Sequence, residues 1–587
     1  MNRENLVNYF ELLFKFALWS SLIGVFLFIT DFGFIKSFKS EQLVLKYYYF
    51  VLIVGLVSTV TKFFYKFQDL KKSTLIFDSL TIFLTLTILW NRFVNGYHFA
   101  FFDFLKYDLI VKFAVVFTFL REFTDLKLNY KRKIINPAQL FVLSFFLLIV
   151  FGALLLALPK ATYNGISFID AIFTSTSAVC VTGLIVVDTA TYFTPLGQYI
   201  ILFLIQLGGL GILTFASYFA YFFRGTSTYE NQLALSDMNQ SNKLSEVFST
   251  IKYILIITFS IEFFAALFVF FSFEKNMFPT FYDRAFFSIF HSISAFCNAG
   301  FSNFTLGLYD DRFRFNYPLQ FTLMMSFVFG GLGFSIVSNV LSYIKYRIFA
   351  FIGNARNQRN YRPWVLNINS RITLITTILI STFAFIVYFS LEYHNTLSEH
   401  SFIGKIVTAM FTATTPRTAG FNSVDLTLLS YPTLVIMLFL MWVGASPAST
   451  GGGIKTSTIA IAVLNVYSLI VGKNRIEIYR REVSENTVQR AFATIILSFF
   501  VIGLGISLIS VFDPKIPLLK IAFECFSAYS TVGLSLGVTP ILSLGSKWVL
   551  IVLMFIGRVS MLSIMIAVFK KVKHKNYRYP KEEITIN

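Results

Sequence analysis

Long apolar segments recur from one end of the chain to the other, separated by short polar connections. Four of them occupy the first part of the chain, near residues 10–35, 46–64, 74–91 and 107–120. A helix needs about 20 mostly apolar residues to cross the hydrocarbon core of a bilayer, so each segment predicts a membrane-spanning helix. Together they predict an N-terminal four-helix membrane extension over residues 1–135.

From Pro137 onward the pattern becomes a repeat of long apolar span, short amphipathic segment, glycine-containing loop and second long span. The eight predicted spans lie near residues 138–158, 196–222, 250–272, 318–343, 372–391, 432–468, 490–511 and 546–569. The pattern predicts an all-α integral membrane fold with four pseudo-symmetric helix–pore loop–helix repeats around a central pore. The predicted repeats cover residues 136–240, 241–360, 361–480 and 481–575, and a tail follows at 576–587.

The four loops agree with one another at several positions. Their glycines, Gly183, Gly300, Gly420 and Gly533, follow at intervals of 117, 120 and 113 residues. Six residues before each glycine stands a hydroxyl, at Ser177, Ser294, Thr414 and Ser527. Ten residues before it stands a large apolar residue, at Phe173, Phe290, Met410 and Phe523. Such agreement argues for fourfold internal duplication.

The short amphipathic segments cannot cross a bilayer, and irregular backbone at membrane depth must be enclosed by protein or line a water-filled cavity. The pattern therefore predicts re-entrant pore loops, with the negative end of each short helix favouring a cation. Glycine allows backbone turns closed to most residues, and rings of carbonyls can replace the hydration shell of a cation. The predicted selectivity filter is Val181, Thr182, Gly183, Asn298, Ala299, Gly300, Thr418, Ala419, Gly420, Thr531, Val532 and Gly533. For one loop alone, a glycine that permits close helix packing explains the pattern equally well; four matching loops favour a filter.

A second irregular segment interrupts the apolar span at 432–468. Three consecutive glycines, preceded by serine and proline, cannot hold a regular helix, and the span must break inside the membrane. By physics alone, a packed helix kink and a flexible gate are equally good interpretations. The candidate gate residues are Gly444, Ser446, Ser449, Thr450, Gly451, Gly452, Gly453 and Lys455, together with Arg558, a charge within the last apolar span.

Composition and charge narrow the function. Of 587 residues, 56% are hydrophobic and 13% are charged, which leaves no room for a sizeable soluble domain. The net charge of +19 is concentrated in alternate connections, near residues 121–133, 345–371, 473–481 and 570–575, and the positive-inside rule places these connections and both termini in the cytoplasm. The five histidines are scattered, which disfavours a membrane enzyme. Parallel repeats and few intramembrane acids disfavour a proton- or sodium-coupled secondary transporter, the main alternative.

The loop motifs SAVCVTGL, FCNAGF, TPRTAGF and STVGL resemble those of the Ktr/Trk potassium transporter superfamily, most closely the membrane subunit of the Ktr system. The resemblance covers roughly residues 137–570. It implies a potassium filter at the four glycines, an intramembrane gating loop at Gly444–Lys455, and potassium uptake driven by the membrane potential with sodium as a modulator.

The resemblance further implies a homodimer in the cell membrane, resting on a separate cytosolic nucleotide-binding subunit of the RCK type. It implies no enzymatic activity, and no cofactor or nucleic-acid partner is expected for this chain. The N-terminal extension lies outside the resemblance. Four spans ahead of a pore are also found in voltage sensors, but these need regularly spaced arginines on the fourth helix. We therefore expect an accessory or dimer-supporting role for the extension.

Overall fold

Helices provide nearly all of the regular structure in the computed structural model of this chain. The structure describes residues 3–34, 38–65, 72–93, 108–124, 137–211, 247–273, 277–352, 366–447, 449–473, 475–561 and 564–565. The basic connections predicted at 127–133, 356–362 and 570–575, and the predicted tail at 576–587, lie outside the described residues.

The first four helices form the N-terminal unit, and they coincide with the four apolar segments of the sequence. They are α1 (Arg3–Gly33), α2 (Phe38–Tyr65), α3 (Lys72–Phe93) and α4 (Asp108–Thr124). An apolar core that includes Tyr48, Val51 and Val115 joins them. One contact to the rest of the chain is the bond from the Lys160 N–H to the Gly33 carbonyl, at 3.0 Å.

Charged side chains also lie buried inside this unit. Lys62 Nζ is 2.6 Å from Glu122 Oε2, and Arg121 Nε is 2.9 Å from Asp78 Oδ1. The Ser58 hydroxyl donates to Glu122 Oε1 at 3.0 Å. Because a buried charge is tolerated only when it is paired, these contacts tie α2, α3 and α4 together.

The remaining helices form four units, each with a long first helix, a short helix and, beyond a loop, a second helix. Unit 1 contains α5 (Pro137–Leu156), α6 (Phe168–Val179), α7 (Thr189–Tyr192) and α8 (Pro195–Leu210). Unit 2 contains α9 (Val247–Phe271), α10 (Phe281–Phe296), α11 (Tyr317–Leu332) and α12 (Phe334–Ile352). Unit 3 contains α13 (Ile368–Glu392), α14 (Phe402–Thr414), α15 (Tyr431–Trp442) and α16 (Thr456–Ile470). Unit 4 contains α17 (Glu485–Phe512), α18 (Leu518–Tyr529) and α19 (Leu544–Val559).

A small antiparallel hairpin, β1 (Glu477–Ile478) and β2 (Arg481–Glu482), connects units 3 and 4. The short helices α6, α10, α14 and α18 contain 12, 16, 13 and 12 residues. At about 1.5 Å per residue they cannot span a bilayer. Three of them begin at a hydroxyl whose oxygen accepts a backbone N–H three residues later, at Ser167, Thr280 and Ser401.

In units 1, 2 and 4 the second helix ends or bends at a residue inside a span that the sequence predicted to be unbroken. The prediction of a continuous span at 318–343 is wrong, because α11 and α12 meet at an angle of 105°. Gly333, between them, has φ +87°, and Gly211 and Ser560 end α8 and α19 with φ +79° and +75°. This left-handed conformation interrupts a right-handed helix. Five described helices are long and apolar enough to cross a membrane, or six when the bent pair counts as one.

Candidate ion pathway

The four glycines lie beside one another in a closed ring. A Cβ atom added to any of these glycines would come within 3.0 Å of a backbone carbonyl oxygen of another loop. At Gly183 it would lie 2.3 Å from the Ala299 carbonyl oxygen, and at Gly300 3.0 Å from that of Ala419. At Gly420 it would lie 2.1 Å from the Val532 oxygen, and at Gly533 2.2 Å from that of Thr182. Each loop therefore contacts the next, and the fourth contacts the first.

The backbone of the four loops has the same unusual conformation. Positive φ angles occur two residues before each glycine, at Val181 (+58°), Asn298 (+61°), Thr418 (+76°) and Thr531 (+51°). The glycines follow at +89°, +66°, +77° and +93°. Non-glycine residues adopt positive φ at a cost of about 1–3 kcal/mol each, and such strain clusters at functional sites. Alternate residues of opposite backbone hand direct successive carbonyls toward the same side, which suits a ring of cation ligands.

Hydroxyl groups at the ends of the short helices hold these loops. The N–H groups of Gly183 and Gly533 donate to the Oγ atoms of Ser177 and Ser527, both at 3.1 Å. In unit 2 the hydroxyl of Ser294 instead donates to the Phe301 carbonyl, at 2.8 Å. Each loop is thus bonded to the negative end of its own short helix.

The third loop is shifted by one residue from the alignment drawn from the sequence. Thr415, not Thr414, donates to the carbonyl after the glycine, at 2.8 Å, whereas Thr414 bonds back to the Met410 carbonyl of its own helix. Phe411 is fully buried, like Phe173 and its counterparts, whereas Met410 is 36% exposed. The physical reason is a shorter connection: the N–H of Ala419 bonds to the oxygen four residues earlier, where the other three loops span five.

A cavity of about 310 Å³ lies on one side of the ring. It is lined by all four glycines and by polar side chains that include Asp188, Ser302 and Asp425. We call this cavity the mouth. Asp188 and Asp425 thus add two carboxylates to the lining of the mouth.

The segment 443–455, here called the α15–α16 loop, packs against the four glycine loops. The Thr450 hydroxyl donates to Asn298 Oδ1 at 3.1 Å, and the Gly452 N–H donates to Thr531 Oγ1 at 2.8 Å. A Cβ atom on Gly451 would lie 2.2 Å from Thr418 Oγ1. The loop therefore touches the residues that stand two positions before three of the four ring glycines.

The other predicted gate residues shape the loop itself. The Ser446 N–H donates to the Gly331 carbonyl at 2.9 Å, and the Ser449 hydroxyl donates to the Ser446 carbonyl at 2.6 Å. Gly444 packs on the backbone of Gly452, and Gly453 has φ +68°.

Two cations hold the loop in this position. Lys455 Nζ donates to the Gly451 carbonyl at 2.7 Å. Arg558 donates through Nη1 to the Thr450 carbonyl, and through Nη2 to the Gly208 carbonyl at 2.6 Å. Arg558 thus joins the loop to the end of α8.

Sequence reasoning missed several polar side chains around the ring. Arg417 directly precedes the third loop, contacts Ser381 Oγ at 3.1 Å and lines a cavity of about 30 Å³. His291 and Glu524 lie buried in the short helices α10 and α18. The signal that could have found them is a charged or ionisable residue inside an otherwise apolar segment. Glu262 carries the same signal, and it accepts bonds from Gln206 Nε2 at 3.1 and 3.2 Å.

The fold and the site define a helical, multi-pass membrane protein. The family model described as "TrkH: Cation transport protein" matches residues 109–579, and the chain belongs to this family. It is 36% identical to the Ktr system potassium uptake protein B of Bacillus subtilis over 456 residues, covering 76% of this chain and 96% of the relative. It is 34% identical to the potassium/sodium uptake protein NtpJ of Enterococcus hirae, covering 78% and 98%.

The fold is also similar to a solved structure. The crystal structure of the potassium transporter TrkH from Vibrio parahaemolyticus matches with a TM-score of 0.59 and 19% identity, covering 84% of this chain and 97% of that one. At this identity the likeness concerns the fold alone.

Proposed function

We propose that this protein takes up potassium across the cell membrane through a channel-like pore. The observation that carries the proposal is the closed ring of Gly183, Gly300, Gly420 and Gly533, with positive φ at each glycine and two residues before it. The names of the relatives, which include potassium uptake proteins, support potassium as the ion. The membrane potential drives the flux, and sodium modulates it.

In this proposal the selectivity filter is formed by backbone carbonyls of the four loops. Carbonyl oxygens replace the water shell of a dehydrated cation, and burial of the loops keeps competing water out. Each loop contributes one glycine, so we expect fewer ordered ion sites than a filter with two glycines per loop would hold.

The α15–α16 loop is the proposed gate. In the conformation described it lies against Asn298, Thr418 and Thr531, on the side of the ring away from the mouth residues. Arg558 stabilises this closed arrangement through the Thr450 carbonyl, and its positive charge adds an electrostatic barrier to cations. Displacement of the loop would open the pathway.

The positive-inside rule orients the protein. The mouth then faces the outside, and both termini and the basic connections face the cytoplasm. We further propose a homodimer that binds a separate cytosolic nucleotide-binding subunit, since two relatives are named as parts of a Ktr system. The basic connections offer this subunit, or anionic lipids, an electrostatic contact.

Potassium uptake in a transport-deficient cell tests the proposal. Gly183→Ser and Gly420→Ser would place a side chain against the backbone of the next loop, so both should abolish uptake or its preference for potassium over sodium. Gly503→Ser is the matched control, because an added Cβ there meets no atom within 4 Å. Wild-type uptake and ion preference in both ring variants would refute the filter.

A further inference from the structure

Three of the four loops carry a second side-chain contact, on the mouth side of the glycine. In each, a residue of the short helix is bonded to a serine eleven positions later: His291 with Ser302, Thr412 with Ser423, and Glu524 with Ser535. We call each such contact a brace. The spacing between the two residues is the same in units 2, 3 and 4.

The braces of units 2 and 4 share their geometry. His291 Nδ1 faces the Phe287 carbonyl at 3.1 Å and must carry the proton, so Nε2 accepts from the Ser302 hydroxyl at 2.9 Å. Ser302 Oγ also accepts the N–H of Phe304, two residues later, at 3.1 Å.

In unit 4 the Ser535 hydroxyl donates to Glu524 Oε1, and its oxygen accepts the N–H of Gly537, again two residues later, at 3.0 Å. Glu524 adds bonds from the Leu536 N–H at 3.2 Å and the Thr539 hydroxyl at 2.7 Å. In both units the serine therefore bonds the irregular segment after the glycine to the short helix that precedes the loop.

The brace of unit 3 joins two hydroxyls, and its helix residue follows the one-residue shift of that loop. Thr412 Oγ1 lies 3.3 Å from Ser423 Oγ. Thr412 stands eight residues before its glycine, where His291 and Glu524 stand nine before theirs. Ser423 accordingly stands three residues after Gly420, where Ser302 and Ser535 stand two residues after their glycines. The brace of unit 3 therefore ties a point one residue further along the segment that leaves the glycine.

Unit 1 has no brace among the described residues. The equivalent positions are Thr174 and Ile185. Ile185 packs against an apolar cluster, and Thr174 Oγ1 is buried without a hydrogen-bond partner in the described part of the chain. The segment after Gly183 is therefore held to its short helix by apolar packing alone at this point.

We infer that the three braces are positioning contacts that set ion selectivity, and that the unbraced unit 1 is the most compliant quarter of the ring. The inference rests on the proposed filter. Carbonyl ligands distinguish potassium from sodium by their number and by how strongly they resist moving inward onto the smaller ion. A brace between the segment after the glycine and the short helix restricts that movement, whereas apolar packing is not directional.

Two identical substitutions at equivalent positions separate this inference from a general packing effect. Thr412→Val removes a brace, and Thr174→Val removes a hydroxyl that has no partner in the described structure; both keep the side-chain shape. The preference for potassium is measured as the ratio of NaCl to KCl concentrations that give half-maximal thermal stabilisation of the purified full-length protein. Rubidium uptake into proteoliposomes in the presence of competing sodium gives a second measurement of this preference.

We expect Thr412→Val to lower the preference on the order of fivefold, the effect of one lost hydrogen bond, and Thr174→Val to leave it unchanged. Ser423→Ala should lower the potassium preference as much as Thr412→Val does. The double variant should lose no more of this preference than either single variant. In unit 4, Ser535→Ala should lower the potassium preference, whereas Ser535→Thr, which keeps the hydroxyl, should leave it at the wild-type level. If Thr412→Val does not fold, Ser423→Ala and Ser535→Ala make the same test.

Equal preference in wild type, Thr412→Val and Ser535→Ala would overturn the inference and leave the filter standing. An equal loss in Thr174→Val and Thr412→Val would also overturn it, because that loss would not depend on a brace. A wild-type protein without any preference for potassium would overturn the proposed function and the inference together.

Discussion

Arg558 offers the most direct test of the proposed gate. Its guanidinium donates to the Thr450 carbonyl in the α15–α16 loop and to the Gly208 carbonyl at the end of α8. Replacing it with methionine keeps most of the side-chain length and removes both bonds and the charge. The loop then loses the connection to α8 that Arg558 provides. The hydrogen bond from Lys455 to the Gly451 carbonyl, which lies within the loop, remains.

The size of the effect follows from the two bonds. A hydrogen bond from a charged donor contributes about 1.5–3 kcal/mol when the partners are shielded from water. Arg558 is only partly buried, so we take the lower end for the pair, about 3 kcal/mol in total. A destabilisation of the closed loop by that amount shifts the equilibrium between closed and open states by roughly 100-fold.

Rubidium flux into proteoliposomes measures this shift. We expect Arg558→Met to raise flux until the fully open state limits it, and Arg558→Lys, which can reach only one carbonyl, to give an intermediate increase. Arg490→Met, at an exposed position of α17, is the control for loss of an arginine. Flux at the wild-type level in Arg558→Met would refute the conclusion that Arg558 stabilises the closed gate.

Two further predictions concern the gating loop and the N-terminal unit. Shortening the run Gly451–Gly453 should raise flux, because the loop could no longer reach Asn298 and Thr531; unchanged flux in the same proteoliposome assay would favour a passive helix kink. Lys62→Met should lower the unfolding free energy by about 3 kcal/mol, since it leaves the buried Glu122 carboxylate with fewer cationic partners, and should leave the potassium preference unchanged. A thermal unfolding shift no larger than that of the exposed-site control Lys46→Met, or a changed ion preference, would contradict the account of this unit.

The positions of the ring and of the broken span at 443–455 could be predicted from the sequence, because both depend on local glycine chemistry repeated or concentrated in an apolar context. The conformation of the ring could not. Val181 is β-branched and disfavours positive φ, and only the contacts of the folded protein impose it. The shift of the third loop was hidden because Thr414 and Thr415 are adjacent hydroxyl residues, either of which fits the pattern.

The interruptions of the second helices in units 1 and 2 and the buried charge pairs were beyond sequence reasoning, for different reasons. Gly211 and Gly333 stand in apolar runs, where a glycine is common in continuous membrane helices. The contact of Lys62 with Glu122 joins residues 60 positions apart. The periodicity of one helix does not predict which residue of another helix will pair with it. The braces became visible only through equivalent contacts in three units.

The central claim is that the four glycine loops bind a dehydrated cation. Anomalous diffraction from crystals grown with rubidium, which substitutes for potassium, tests this claim directly. We predict an anomalous peak at the centre of the ring, within coordination distance of carbonyl oxygens from all four loops, and its loss in crystals of Gly420→Ser. Rubidium bound only elsewhere, with none at the ring in the wild-type protein, would contradict it.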